Sequence, residues 1–276
     1  MKNFKKIVAL VLAVGVVFSF AACGEKKDDE SKAYTIGVLE YESADGYLEH
    51  LDAAHPEVPD NKIIYYNNLS SALMDLVANN DQCIILEESV AAYIASHNDS
   101  LTYIPHKDAG YYNSFSMAVM EKNQEVYDLL NNAIVELKAN GTLDSLVENR
   151  LKAYIESEPV TDDLPKFDGA KTIKIGVTGD LPPMDFIASN GKAAGFNVAL
   201  LAEISKIAHV NIELVQIETG ARAMALSSGK VDAIFWSRNV TCPPCNATFA
   251  EGIPGTLMTE SYFSDSTATV APKHEK

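Results

Sequence analysis

Cys242 and Cys245 are separated by two prolines, which is the spacing that redox and zinc motifs use. Zinc at a closed site needs four protein ligands, and the sequence holds no second pair of this kind, so no metal site is predicted. A redox pair is expected where a helix begins after a strand, whereas Pro243 and Pro244 favour a stiff loop. The pair therefore predicts a local structural disulfide or two idle thiols. Cys83 lies in an apolar run and is predicted to be a buried free thiol.

Catalytic motifs are not found elsewhere in the sequence. The six histidines show no H-E-x-x-H spacing, and no G-x-S-x-G motif occurs. Without a nucleophile beside a base, the sequence predicts that the chain is not an enzyme and that it uses no cofactor.

The first 23 residues follow the order of a bacterial export signal. Three lysines precede an apolar run over residues 7–20, which is too short to span a bilayer, and small residues then precede Cys23. This order resembles a lipoprotein signal, which implies that residues 1–22 are removed, that Cys23 is lipidated and that residues 23–33 form a flexible tether. The protein would then sit on the extracytoplasmic face of the cell membrane. An ordinary cleaved signal peptide is the alternative.

The mature chain would be strongly acidic. Residues 1–22 hold three lysines and no acidic residue, so their removal takes the formal charge from −16 to −19. Such a surface repels phosphate backbones, and nucleic acid is therefore not an expected partner. The 254 residues that remain are enough for one large domain or two lobes, and none of their apolar runs approaches membrane-spanning length.

Strand-like and helix-like segments alternate in each half of the chain. The first half shows strands at 34–39, 62–66 and 83–86 and helices at 44–54 and 70–78. The second half shows strands at 172–177, 211–217 and 231–235 and helices at 197–208 and 221–227. This alternation predicts an α/β fold with two parallel-sheet lobes, a hinge and an interlobe cleft. In such folds the ligand lies beyond the carboxyl ends of the strands.

Motifs in both halves are typical of one known family. The second half carries Ile173–Val177, Asp180–Phe186, Gly195–Leu200, Ser228–Ile234 and Thr259–Tyr262. The first half carries Glu87–Tyr93 and Ala133–Leu143. These segments resemble the first and the second lobe, respectively, of the extracellular solute-binding proteins of family 3. The resemblance implies a type II periplasmic-binding-protein-like fold and a receptor for a polar amino-acid ABC importer.

The order of these motifs predicts a circular permutation, because the second-lobe motifs come first. Residues 34–155 would form the lobe that resembles the family's second lobe, and 172–262 the other lobe, with a linker at 156–171. Residues 263–276 would be a hinge strand that returns to the lobe first in sequence, followed by a tail. Permutation is tolerated where the original ends are close and the break is at the surface.

The resemblance implies an ammonium site in the first half. Glu87 matches a family position that commonly holds an ammonium-binding aspartate; the alternative is a solvated glutamate at a helix start. Ser43 matches a hydroxyl at a helix start, where an anion can bind, or it is a plain N-cap. Tyr111 lines the cleft or packs at the hinge.

The resemblance implies a carboxylate site in the second half, although the family's arginine position falls near Pro244 and that motif is broken. Arg238 is the predicted substitute, with a surface arginine as the alternative. The remaining candidates are Ser237 and Thr241 as hydroxyl donors, Asp180 as a ligand-binding residue, and Trp236 as an apolar ring face or a packing residue. For Arg222, pairing across its own helix is preferred to ligand contact.

Together these features predict a monomeric, lipid-anchored binding protein that captures an amino acid or related amine for an ABC permease. A ligand-sensing or scaffold protein of the same fold is the first alternative, since the arginine motif is missing. A dehydratase-like enzyme is the second.

Overall fold

A computed structural model of the chain describes residues 35–40, 62–78, 82–106, 112–155, 157, 160–242, 247–251 and 253–273, with the backbone alone at 112, 236–242 and 247–251. Along these residues the α-helices are α1 (Leu69–Val77), α2 (Glu88–His97), α3 (Gln124–Ala139), α4 (Thr142–Leu146), α5 (Phe196–Ala208) and α6 (Arg222–Ser227). The strands are β1 (Thr35–Leu39), β2 (Lys62–Tyr66), β3 (Cys83–Glu87), β4 (Leu101–Pro105), β5 (Tyr112–Met120), β6 (Thr172–Val177), β7 (Asp180–Leu181), β8 (Asp185–Ile187), β9 (Ala193–Ala194), β10 (Asn211–Gln216), β11 (Ala233–Cys242), β12 (Ala247–Glu251), β13 (Thr256–Met258), β14 (Phe263–Asp265) and β15 (Thr267–Pro272). Within these ranges no helix is both long and apolar enough to cross a membrane.

The described residues divide into two compact units. Unit 1 takes in those up to Tyr112, those within Thr241–Ala247 and those from Ser266 onward, and unit 2 takes in Asn113–Val240 and Thr248–Asp265. Both contain parallel strands joined through helices, so the predicted α/β fold with parallel sheets is confirmed.

Unit 1 is built on sheet 1, with strand order β2-β1-β3-β15-β4. β1 runs parallel to β2 and to β3, whereas β15 runs antiparallel to β3 and β4. The central strand β3 is buried along its whole length, as its continuous apolar run predicts. Cys83, which begins this strand, is a buried free thiol as predicted.

Unit 2 is built on sheet 2, with strand order β10-β6-β11-β5-β13. β6 runs parallel to β10 and β11, while β13 and β14 run antiparallel to β5. A small antiparallel sheet of β7, β8 and β9 follows β6 in the chain. The loop between β7 and β8 contains the Pro182–Pro183 peptide bond, which is in the cis form.

The chain divides at Tyr112/Asn113 rather than after residue 155, so residues 113–155 lie in unit 2 and not with the first lobe as predicted. The physical reason is the apolar stripe of α3, which buries Val126, Leu130, Ala133, Ile134 and Leu137. This helix packs against α5 of the second half. Two further contacts tie the predicted linker to unit 2: Arg150 pairs with Asp162, and Asn211 binds the backbone of Phe167.

The strand expected over Phe263–Val270 consists of two segments. β14 pairs with β5 in unit 2, and β15 lies between β3 and β4 in unit 1. β11 also differs in extent from its prediction, because it continues past Phe235 to Cys242. This strand pairs with β12.

Candidate functional site

The carboxyl end of β3 carries two adjacent acidic residues in unit 1. Glu87 ends the strand with its side chain only 4% exposed, and Glu88 begins α2. The solvated helix-start glutamate considered as the alternative for Glu87 is therefore wrong. The hydroxyl of Ser266 donates to Glu88 Oε2, and the backbone N–H of Glu88 donates to the Ser266 carbonyl at 2.8 Å. These contacts fix the start of β15 against the start of α2.

His106 follows β4, and its side chain lies against β15. Its Nδ1 is 2.9 Å from the hydroxyl of Thr267, and its Nε2 is 2.9 Å from the hydroxyl of Thr269. Because a hydroxyl can donate or accept, a neutral imidazole is satisfied in either tautomer. Burial lowers the pKa of His106 to about 4, an effect that the negative charge of Glu88 partly opposes. The ring is 6% exposed, so this arrangement fixes β15 rather than presenting a base to a substrate.

Asp185 organises the corresponding edge of unit 2. Its carboxylate is 4% exposed, and Oδ1 accepts from the backbone N–H groups of Thr178 at 2.8 Å and Gly179 at 3.0 Å, and from the Thr178 hydroxyl at 2.7 Å. Oδ2 accepts from Asn197 Nδ2 at 2.8 Å. The loop at the carboxyl end of β6 is thus tied to the start of α5 by a single side chain.

Arg222 of unit 2 is buried, and its side chain donates to carbonyl groups of the main chain. Nη1 donates to the carbonyl of Phe235 at 2.9 Å, and Nε lies 3.4 Å from the carbonyl of Thr219. The expected pairing of Arg222 across its own helix stays a prediction.

The remaining predicted site residues are described to different extents. Asp180 lies in β7, opposite Phe186 of β8. The backbone of β11 includes four candidates and one cysteine, whose side chains lie outside the described residues: Trp236, Ser237, Arg238, Thr241 and Cys242. Ser43, Tyr111, Cys23 and Cys245 lie wholly outside them. Within the described ranges, no group of three His, Cys, Asp or Glu side chains is gathered as a metal site would require.

Sequence reasoning missed His106 and its two threonine partners. The available signal was the i, i+2 spacing of Thr267 and Thr269, which places both hydroxyls on one face of a strand. It also missed Asp185 as a structural centre, although the residue lies inside a motif that was singled out.

The comparisons with known proteins agree with the predicted resemblance. Residues 173–243 match the family described as bacterial extracellular solute-binding proteins, family 3. This segment begins in β6 and ends one residue after β11. The resemblance is therefore confirmed for β6, β10 and β11, the parallel strands of sheet 2. The family is one of binding proteins rather than of enzymes. No curated protein sequence matches the chain.

Several solved structures are similar to the chain at low sequence identity. The ligand-binding core of GluR0 in complex with L-glutamate is 10% identical, with a TM-score of 0.46 over 90% of this chain and 87% of that one. The alkanesulfonate-binding protein SsuA from Xanthomonas axonopodis pv. citri, bound to MOPS, is 10% identical, with a TM-score of 0.43 over 89% and 67%. Full-length CbnR complexed with its target DNA is 9% identical, with a TM-score of 0.45 over 100% and 74%.

Proposed function

We propose that this protein is a lipid-anchored, extracytoplasmic receptor that captures a small polar solute and delivers it to an ABC permease. The observation that carries the proposal is the match of residues 173–243 to the extracellular solute-binding family. Residues of that segment form β6, β10 and β11, the parallel strands whose carboxyl ends bind ligands in open α/β sheets.

The solute proposed is an amino acid or a related amine. Glu87 supports this choice, because a carboxylate buried at the carboxyl end of β3 is an energetically costly group that a bound ammonium would stabilise. Ser43 and Tyr111 are proposed to assist it. In unit 2 the proposed contacts are Arg238 for a carboxylate, Ser237 and Thr241 as donors, Asp180, and Trp236 as a ring face.

A thermal-shift screen of the purified protein tests the binding proposal directly. The panel contains the twenty protein L-amino acids, putrescine and spermidine. At a concentration of about 100 times Kd, a bound solute should add about 2.7 kcal/mol of stability. A panel in which every compound leaves the melting temperature unchanged contradicts the amino-acid or amine assignment.

Calorimetry on Glu87→Gln then tests the ammonium contact with the best panel compound. Losing a charge-assisted contact in a buried site should cost about 2–4 kcal/mol, or roughly 30- to 1,000-fold in affinity. Asp99→Asn, an exposed carboxylate of the same unit, is the control and should bind like the parent. Parent-like affinity in Glu87→Gln would show that the ammonium site is elsewhere.

A ligand-sensing or scaffold role is favoured by one specific observation. The position where the family holds its carboxylate-gripping arginine falls near Pro244. If the protein is such a scaffold, none of the panel compounds will shift its melting temperature. The protein will nevertheless be found in the membrane fraction of the cells.

Lipid anchoring is proposed from Cys23 and the short apolar run before it. Mass spectrometry of membrane-extracted protein should find an N-terminal, acylated cysteine. Cys23→Ser should release the protein from the membrane fraction, and an unmodified N-terminus in the parent would contradict the proposal.

The circular permutation is proposed from motif order, and the register of sheet 1 supports it. Ile36 pairs with Cys83 across β1 and β3, and Val270 pairs with Ile84 across β15 and β3, so Thr35 and Pro272 lie at the same edge of the sheet. Two strand spacings separate them, about 10 Å. A rearranged chain with residues 160–273 first, then a six-residue Gly/Ser linker, then residues 35–157 should fold cooperatively. Loss of cooperative unfolding in that chain would count against the permutation.

A further inference from the structure

Arg222 is a buried cation of unit 2 that donates to main-chain carbonyls. It is 7% exposed, and its side chain donates to the carbonyls of Phe235 at 2.9 Å and Thr219 at 3.4 Å. Burying a guanidinium is costly unless its N–H groups are used, so these backbone contacts are needed to keep the side chain in place. Through them the side chain also constrains the backbone to which it donates.

The position of Phe235 along β11 gives this contact its significance. β11 pairs with β6 at Ala233 and Ile234. At the next residue, Phe235, the carbonyl accepts from Arg222, and the ring packs edge-on against Tyr262 with centroids 5.5 Å apart. The backbone of β11 then continues as a strand to Cys242. Arg222 therefore holds β11 directly after its pairs with β6, where the strand continues toward the residues proposed to bind the solute.

We infer that Arg222 is a positioning residue for the solute site. It acts through the Phe235 carbonyl on the path of β11, and so on Trp236, the next residue, and on Arg238 beyond it. Its Nη1 and Nε are directed at main-chain carbonyls, so this role requires no contact between Arg222 and the solute. The inference rests on the proposed function for its biological meaning, but its structural consequence can be measured without any solute.

Trp236 supplies the measurement, because it is the only tryptophan in the sequence. Fluorescence emission and acrylamide quenching of the folded, solute-free protein report its surroundings alone. Arg222→Met removes the donors while keeping a long side chain, and Arg222→Lys keeps a cation that can still donate to one carbonyl. We expect a shifted emission maximum and altered quenching in the Met variant, with the Lys variant between it and the parent.

Asn211→Ala is the matched control for general destabilisation. The side chain of Asn211 also binds main-chain groups of unit 2, accepting from Phe167 N at 2.8 Å and donating to Phe167 O at 3.0 Å, but it lies at the start of β10. Its loss should lower the melting temperature and leave the Trp236 emission unchanged. Emission that is parent-like in the Met variant, or equally changed in the Asn211 control, would overturn the inference. If the Met variant does not fold, the Lys variant decides by the same comparison.

A second readout separates this inference from the proposed function. With the panel compound that most stabilises the parent, Arg222→Met should bind about tenfold more weakly, whereas Asn211→Ala should bind like the parent. If no panel compound stabilises the parent, the proposed solute class is wrong, and the fluorescence comparison still decides the role of Arg222.

Discussion

His106 of unit 1 and Arg222 of unit 2 are both buried, but they have different kinds of hydrogen-bond partner. In unit 1, His106 is held by the hydroxyls of Thr267 and Thr269, and Glu88 by the hydroxyl of Ser266. In unit 2, Arg222 donates to two backbone carbonyls, and Asp185 accepts from two backbone N–H groups as well as from the Thr178 hydroxyl and the Asn197 side chain. Main-chain partners are fixed by the fold, whereas hydroxyl partners can rotate and an imidazole can titrate. Because burial lowers the pKa of His106, the stability of unit 1 should respond to pH.

The largest effect is expected for Asp185→Ala. The substitution removes three contacts to the loop after β6 and one to Asn197, leaving buried donors unsatisfied. The free energy of unfolding in urea should fall by about 3–5 kcal/mol. Asp163→Ala removes only an exposed ion pair with Lys192 and should change it by less than about 0.5 kcal/mol. Similar values for the two variants would show that the contacts of Asp185 add no more to the stability of unit 2 than an exposed ion pair does.

Gly195→Ala tests how closely the main chain of unit 2 is packed at the start of α5. Gly195 has φ +110°, and an added Cβ would lie 2.3 Å from the Met184 carbonyl oxygen. Because both the conformation and the space exclude a side chain, a loss of about 3 kcal/mol or more is expected in urea unfolding. Gly191→Ala has φ +76° with open space around it, and should cost only about 1 kcal/mol. An equal cost for both would mean that the backbone near Met184 moves aside.

The pH response of unit 1 is the third effect in size. His106 takes up its proton near pH 4 when folded but near 6.5 when unfolded, so acidification favours the unfolded state. Its stability contribution is complete above pH 6.5 and is lost between pH 6.5 and 4, by about 2–3 kcal/mol. Urea unfolding at pH 7 and pH 4.5 should show a smaller loss for His106→Asn than for the parent. Equal losses would show that carboxylates alone cause the acid response.

The smallest effect is expected for Thr269→Val. This substitution removes the hydroxyl next to His106 Nε2 while keeping the shape of the side chain, so a loss of about 1–2 kcal/mol is expected. Thr172→Val on the exposed start of β6 is the control and should be near neutral. If Thr269→Val does not change the free energy of unfolding, the imidazole of His106 must form a hydrogen bond with another partner in the variant.

Much of the secondary structure follows from local patterns in the sequence. β2 and β6 have the predicted bounds, because both are short β-rich runs limited by turn residues. The extent of β11 was not predictable in the same way. Beyond Phe235 the sequence becomes polar and shows no regular alternation, and nothing in it indicates that β11 pairs with β12.

The division into units depends on contacts that the sequence does not reveal. The apolar stripe of α3 is evident from its spacing, but nothing in it states that the partner is α5. The candidate site shows the same limit. Glu87 could be placed at a strand end, whereas the environment of His106 requires β15, whose Thr267 lies 161 residues along the chain.

The insertion of β15 between β3 and β4 also has a consequence for the order in which the chain folds. During synthesis, which proceeds from the N-terminus, β3 and β4 lack β15, the strand that lies between them, until about 160 further residues have been added. At roughly 5–20 residues per second this interval lasts on the order of 10–30 s, during which an apolar strand edge is open to wrong pairing. The strands β5, β6, β10 and β11 and the helices between them are contiguous and can assemble earlier. In refolding of the whole chain the same separation in sequence slows the pairing of β15 with β3 and β4. Pulsed hydrogen exchange should then protect the β6 amides before those of Cys83–Leu86, and the reverse order would contradict this expectation.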